Sequence, residues 1–221
     1  MGMVALNTKD ATMDIIFTLT ALIVSVILHE VAHGYAANAL GDPTARLSGR
    51  LTLNPLPHLD IVGSLLVPLL LIASKSGILF GWAKPVPYNP YNLRNARWGE
   101  AIVAVAGSAT NLLVAAVFIL CVHAANAGII PASAGVFAGT IAFINLFLGL
   151  FNLVPIPPLD GYTVLRGALP YTFSYKLAAF EERVRNFGVF GIITVLLVFS
   201  FVFAGPFFLF VSHLFSFLTG M

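Results

Sequence analysis

The chain has 221 residues, of which 59% are hydrophobic and only 9% charged, against about 25% charged in an ordinary soluble domain. With a mean hydropathy of +0.95, that is the composition of a polytopic membrane protein. A net charge of +2 with no basic tract offers nothing to nucleic acid, and the single cysteine, Cys121, excludes an intrachain disulfide and reads as a small packing residue.

Met1 to Asp14 is a short, mildly polar lead, from which Thr12 or Asp14 is expected to cap the first helix. That helix runs to about Leu40, is long enough to span a bilayer, and is too long for a cleavable signal peptide. Inside it lies Ile27-Leu28-His29-Glu30-Val31-Ala32-His33. Histidines four apart share one helix face, so His29 and His33 can present two neutral imidazoles to one zinc ion. Glu30 sits about 100° round the helix, within reach of a water on that metal. His-Glu-x-x-His on a helix is the pattern of a zinc peptidase, with the glutamate as general base. The apolar setting adds weight, since ionisable groups at membrane depth are costly unless a metal or partner compensates them.

Gly41-Asp42-Pro43 stops the helix. Ala45 to Leu53 then alternates apolar and polar residues, which predicts a strand or small hairpin. It either packs at the interface or offers an edge that holds a substrate backbone extended. Asn54 to Asp60 is a rigid turn in which His58 and Asp60 are either a polar pair near the metal or, the favoured reading, local cap and turn residues. Ile61 to Trp82, with Pro68 in its apolar run, is either a second span or a re-entrant pair of half-helices. Gly81 to Arg97 is a loop rich in proline and asparagine, with Trp82, Tyr88, Tyr91 and Trp98 suited to a membrane interface.

Trp98 to Ala125 is the next span. Ala104, Gly107, Ser108 and Asn111 form a small-residue stripe that permits close helix packing, and Asn111 needs a polar partner across that contact. His123 at its far end is interfacial. Ala134 to Val154 spans again and ends in Asn152-Leu153-Val154-Pro155-Ile156-Pro157-Pro158-Leu159-Asp160-Gly161. Such a break at membrane depth is tolerated only where the backbone lines a cavity or is buried in protein. Asp160 at its tip is the natural third metal ligand, leaving a fourth position open for water; the competing reading is an Asp-Gly turn. Ser174 to Asn186 is an amphipathic interfacial helix, and Gly205-Pro206 divides an uncharged tail in which His213 packs or faces the interface.

These motifs, taken together and in this order, resemble the site-2 protease family of intramembrane zinc metallopeptidases, in the compact branch without a PDZ domain. The resemblance rests on His29-Glu30-x-x-His33, Gly107-x-x-x-Asn111 and Asn152-x-x-Pro155-x-Pro157-x-x-Asp160-Gly161. It implies zinc on His29, His33 and Asp160, Glu30 as base, and Asn152 near the metal as a polarising or oxyanion-stabilising amide. It also implies that Gly107 to Asn111 packs beside the catalytic helices. Two departures stand out: the better-studied members carry a membrane helix ahead of the metal helix, and Ile61 to Trp82 has no counterpart in them.

The expected fold is therefore an all-α polytopic bundle of about five to six membrane segments, with a β-hairpin or strand after the first helix and a segment that crosses or re-enters. It forms one domain, 1–221, with a catalytic core at about 15–167 and C-terminal helices at about 174–221. The expected partners are a transmembrane protein substrate and the lipid bilayer. Arg46, Arg50, Lys84, Arg94, Arg97, Arg166, Lys176, Arg183 and Arg185 share one side if 61–82 re-enters, and the positive-inside rule makes that side cytoplasmic, in a bacterial or archaeal membrane. The rival readings are an intramembrane metal or proton transporter and a non-catalytic binder of single-span proteins.

Overall fold

The computed structural model describes residues 8–60, 63, 69, 83–95 and 98–220. Ile61 to Trp82 lies outside these residues apart from positions 63 and 69, and so does the question of whether it crosses or re-enters. The described residues are helical, without a strand. Helix α1 spans Thr8–Ala39, α2 Thr44–Leu47, α3 Gly99–Asn126, α4 Ala132–Asn152, α5 Asp160–Ala168, α6 Tyr171–Asn186, α7 Gly188–Val202 and α8 Ala204–Thr219. Short 3-10 turns occur at Leu56–His58 and Pro90–Asn92.

Among the described residues, three helices are long and apolar enough to cross a membrane: Met13–Ala39, Gly99–Asn126 and Ala132–Asn152. Helix α8 is apolar but has only 16 residues. Because α1 begins at Thr8, Thr12 and Asp14 lie within it rather than capping it.

The strand expected over Ala45 to Leu53 does not form. Asp42 starts a helical turn instead: its carboxylate accepts from the Thr44 hydroxyl at 2.5 Å and the Thr44 amide at 3.2 Å. Gly49, at φ +65°, then takes a left-handed conformation that breaks any extended run. Alternation in sequence was a helical turn followed by bends, with Arg50 buried and Leu47 and Leu53 exposed.

In lipid, helices associate through close van der Waals contact and buried hydrogen bonds, so small residues set their separation. Helix α3 is the central element, with Ala101, Ala104, Gly107, Ser108, Asn111 and Ala115 buried along one stripe. It packs against α1, α4 and α5. A Cβ on Gly135 would stand 2.5 Å from Ala125 Cβ, and one on Gly149 2.8 Å from Leu112 Cγ. The α3–α4 contact is thus as close as glycine allows. Outside it, α4 meets α7 and α8 through an aromatic ladder: Phe143 to Phe215 at 5.4 Å, Phe147 to Phe207 at 5.4 Å and Phe151 to Phe199 at 5.6 Å between ring centroids. His123, at the far end of α3, donates from Nε2 to the Leu218 carbonyl at 2.8 Å, which ties that end to α8. His58 and Asp60 act locally as expected: His58 donates to the Thr52 carbonyl and Asp60 accepts from the Gly63 amide.

Candidate metal centre

Two helices bring their polar residues to one place. His29 and His33 come from α1, one turn apart. Asp160 is the first residue of α5, delivered there by the proline-rich break after α4. That break turns back on itself: Gly161 is packed against the Leu153 carbonyl so tightly that a Cβ would overlap it, so only glycine lets α5 begin beside the end of α4. The result is a group of His29, His33 and Asp160 whose ligand atoms lie within 4.8 Å of one another. His29 Nε2 is 2.9 Å from His33 Nε2 and 3.1 Å from Asp160 Oδ2; His33 Nε2 is 3.4 Å from that oxygen.

The protons on the two rings are fixed by their outer partners. His33 Nδ1 lies 2.7 Å from the Val103 carbonyl, which can only accept, so Nδ1 carries the hydrogen. For His29 the chain of assignment is longer. Asn111 Nδ2 donates to the Ser25 carbonyl at 3.2 Å and to Asn145 Oδ1 at 2.8 Å, so Oδ1 of Asn111 is the end that faces His29. It accepts from His29 Nδ1 at 2.7 Å. Asn145 is fixed in turn by donating to the Ile141 carbonyl at 2.9 Å and the Ser25 hydroxyl oxygen at 2.8 Å. In neutral rings, both Nε2 atoms then present lone pairs. With Asp160 Oδ2, which is buried without a hydrogen-bond partner, three electron-pair donors converge. A proton can satisfy one pair of them at a time; a cation satisfies all three.

The donor set and spacing fit zinc. A tetrahedral ion with ligands at its usual bond lengths needs donor atoms about 3.4 Å apart, close to the 2.9 to 3.4 Å found here. The outer hydrogen bonds from Nδ1 to a carbonyl or amide oxygen are those that orient metal-bound imidazoles. Gly107 forms the floor: a Cβ there would lie 2.5 Å from His33 Nε2 and 2.7 Å from His29 Cε1.

Glu30 faces a different neighbour. Its Oε2 accepts from the Val86 amide at 2.8 Å, in the extended loop after the undescribed segment. That loop lies close because Gly34, next to His33, leaves room for it: a Cβ there would meet Leu51 Cδ2 at 2.5 Å and Val86 Cγ1 at 2.9 Å. Asn152 is not among the converging groups. Its amide donates back to the Leu148 carbonyl at 3.0 Å.

Sequence reasoning singled out Asn111 but passed over Ser25 and Asn145, which complete its network. Asn145 could have been found by the same rule, since it too is an amide at membrane depth in an apolar helix. Val86 left a fainter mark, as the lone N–H between Pro85 and Pro87.

Long apolar helices around a His-His-Asp group, with a glutamate next to one histidine, define a membrane-embedded metallopeptidase. Sequence comparison agrees. The profile of Peptidase family M50 matches residues 123–199. A Bacillus subtilis (strain 168) protein named "Putative zinc metalloprotease YwhC" is 38% identical over 172 residues, 75% of each chain. Two relatives named Rip2 share the same description. That of Mycolicibacterium smegmatis is 35% identical over 152 residues, 68% of this chain and 56% of its own. That of Mycobacterium tuberculosis (strain Erdman) is 30% identical over 192 residues, 80% of this chain and 71% of its own. No solved structure matches the chain significantly. The chain belongs to peptidase family M50, the site-2 protease family that its motifs resemble.

Proposed function

We propose that the chain is an intramembrane zinc endopeptidase that hydrolyses peptide bonds in or near the transmembrane segments of other membrane proteins. The observation that carries this reading is the convergence of His29 Nε2, His33 Nε2 and Asp160 Oδ2 as three candidate ligand atoms within 4.8 Å of one another. Zinc bound there supplies Lewis acidity, polarising a carbonyl and bringing the pKa of a water toward neutrality.

The chain's own groups do the rest. Asp160 and the two imidazoles hold the ion, and Asn111 and the Val103 carbonyl keep the imidazoles in the tautomer that can hold it. Glu30 takes the proton from the attacking water and returns it to the leaving amine. Asn152 is the candidate donor to the developing oxyanion; to act, it exchanges its bond to Leu148 for the substrate carbonyl. A substrate helix hides its amides in its own hydrogen bonds, so the favoured substrates are spans with helix-weakening residues that unwind locally. Cleavage of such spans would serve regulated intramembrane proteolysis.

The reading extends to topology. Arg94 N–H donates to the Leu40 carbonyl at the end of α1, and Arg50 donates to the Lys84 carbonyl. Arg166 on α5 pairs with Glu100 at the start of α3. These contacts support basic residues gathered at one end of the bundle, the cytoplasmic end by the positive-inside rule, in a multi-pass bacterial or archaeal membrane protein.

The test uses purified chain in liposomes with a single-span substrate. Glu30→Gln is expected to keep its zinc and lose about 10²- to 10⁴-fold in cleavage rate, the range for a general base. Cleavage at the wild-type rate by that variant would remove Glu30 from the chemistry. Metal flux that survives in it would instead make the chain a transporter.

A further inference from the structure

The catalytic glutamate is held by a loop, and the loop is held by a buried cation. In Lys84-Pro85-Val86-Pro87 the prolines lack an N–H, so the segment has two backbone donors. The Lys84 amide donates to the His58 carbonyl at 2.8 Å. The Val86 amide donates to Glu30 Oε2 at 2.8 Å. The carbonyls of Lys84 and Pro85 both accept from Arg50 Nη2, at 2.7 and 3.2 Å.

The Pro85 carbonyl and the Val86 N–H belong to one planar peptide group and point in opposite directions. Arg50 holds one end of that group and Glu30 the other, so the peptide dipole bridges a guanidinium and a carboxylate. Hydrogen bonds to ionised groups at both ends are the strong kind, and each polarises the other. Arg50 is only 7% exposed, and among the described residues no carboxylate pairs with it. A buried cation is costly, and an apolar side chain would fill the same space; what an apolar residue lacks is the means to fix two carbonyls. Glu30 Oε1 makes no hydrogen bond among the described residues, so it is the oxygen left to take a proton.

We propose that Arg50 is a positioning residue for the general base: it fixes the Pro85–Val86 peptide, whose N–H aims the Glu30 carboxylate at the reacting water. This rests on Glu30 acting as the base proposed above. The nearest alternative, that the Pro-Val-Pro segment is a plug occupying the glutamate until substrate displaces it, predicts the opposite response to loss of the N–H.

Val86→Pro deletes that one N–H and leaves the Pro85 carbonyl for Arg50. Val86 already precedes Pro87, which restricts it to extended backbone, so proline is compatible there. In zinc-loaded full-length chain, Val86→Pro and Arg50→Met are expected to lower kcat per bound zinc by about 10- to 100-fold, the scale of a small misplacement of a catalytic group, with KM unchanged within about threefold. Arg50→Lys, a single point donor, is expected to recover part of the loss. Bound zinc stays at the wild-type value, and deuterium exchange at the Val86 amide speeds up in Arg50→Met. Wild-type kcat in Val86→Pro overturns the proposal, and a faster Val86→Pro replaces it with the plug. If Arg50→Met does not fold, Arg50→Lys reads the arginine's part in its place, and wild-type kcat in a folded Arg50→Met overturns that part. Glu30→Gln in the same series separates the two levels: full activity there removes the base itself, whereas an inactive Glu30→Gln beside an unaffected Val86→Pro removes only the positioning of that base through the Val86 N–H and Arg50.

Discussion

Replacing Gly107 with alanine sets helix propensity against the geometry of the metal centre. In a helix interior alanine is favoured over glycine by about 1 kcal/mol. Here the new Cβ would stand 2.5 Å from His33 Nε2, 2.6 Å from His33 Cε1 and 2.7 Å from His29 Cε1. Ordinary contact begins near 3.4 Å, so the rings must retreat by the better part of an ångström. Metal–ligand distances tolerate about 0.2 Å. Nor are the rings free to swing: each is held by a 2.7 Å hydrogen bond from Nδ1, to Asn111 or to the Val103 carbonyl. Breaking one such bond costs about 0.5 to 1.5 kcal/mol, and displacing the ligands costs more. Gly107→Ala is therefore expected to weaken zinc binding by at least about 100-fold, roughly 2.7 kcal/mol, while the zinc-free form keeps its Tm within a few degrees. Competition against a chromogenic chelator in detergent reads the affinity, and thermal unfolding with and without zinc reads the fold. Gly139→Ala is the control, because its Cβ would meet Phe215 and Val122 at an ordinary 3.9 Å. Wild-type zinc affinity in Gly107→Ala would refute the placement of this glycine beneath the ligands.

Asn111→Ala should leave the His29 Nδ1 hydrogen and the Asn145 amide oxygen unpaired in a buried site, lowering zinc affinity by about 10- to 100-fold and stability by about 1 to 3 kcal/mol; an unchanged chelator titration would argue against it. Asp42 gives a pH-dependent prediction away from the membrane spans. Burial opposes its charge, but hydrogen bonds from the Thr44 side chain, the Asn92 side chain and the Asn89 and Thr44 amides hold its carboxyl below the usual range. A carboxylate with a depressed folded pKa contributes stability that is complete above about pH 4 and lost as pH falls through the lower folded value. The Tm gap between wild type and Asp42→Ala should hold from pH 7 to about pH 5 and narrow as pH falls below about 4. A gap that widens in acid would contradict it.

The gathering of His29, His33 and Asp160 was legible because its signals are chemical and local. Two histidines at helical spacing in an uncharged run, and an aspartate at the tip of a proline break, each have few alternatives in lipid. The small-residue stripe on α3 was legible for the same reason, since Gly107, Ser108 and Asn111 are all buried as read. Ala45 to Leu53 was misread because period two over nine residues does not outweigh an Asp42 cap and a left-handed Gly49, whose effects depend on φ rather than on pattern. The tie between Arg50 and Glu30 left only the faint mark of Val86, the lone N–H between Pro85 and Pro87. It joins residues 20 apart through a peptide group 35 further along, and only the packing of the loop against Gly34 creates it. Asn145 was legible in principle, by the rule already applied to Asn111.

Metal analysis of the purified, folded chain and its Asp160→Ala variant tests most directly whether three side chains hold a catalytic ion within the membrane. One zinc per wild-type chain is expected, with a sharp loss in Asp160→Ala and a matching loss of substrate cleavage. Undiminished zinc in that variant, or a folded wild-type chain that is free of metal and still cleaves, would contradict it.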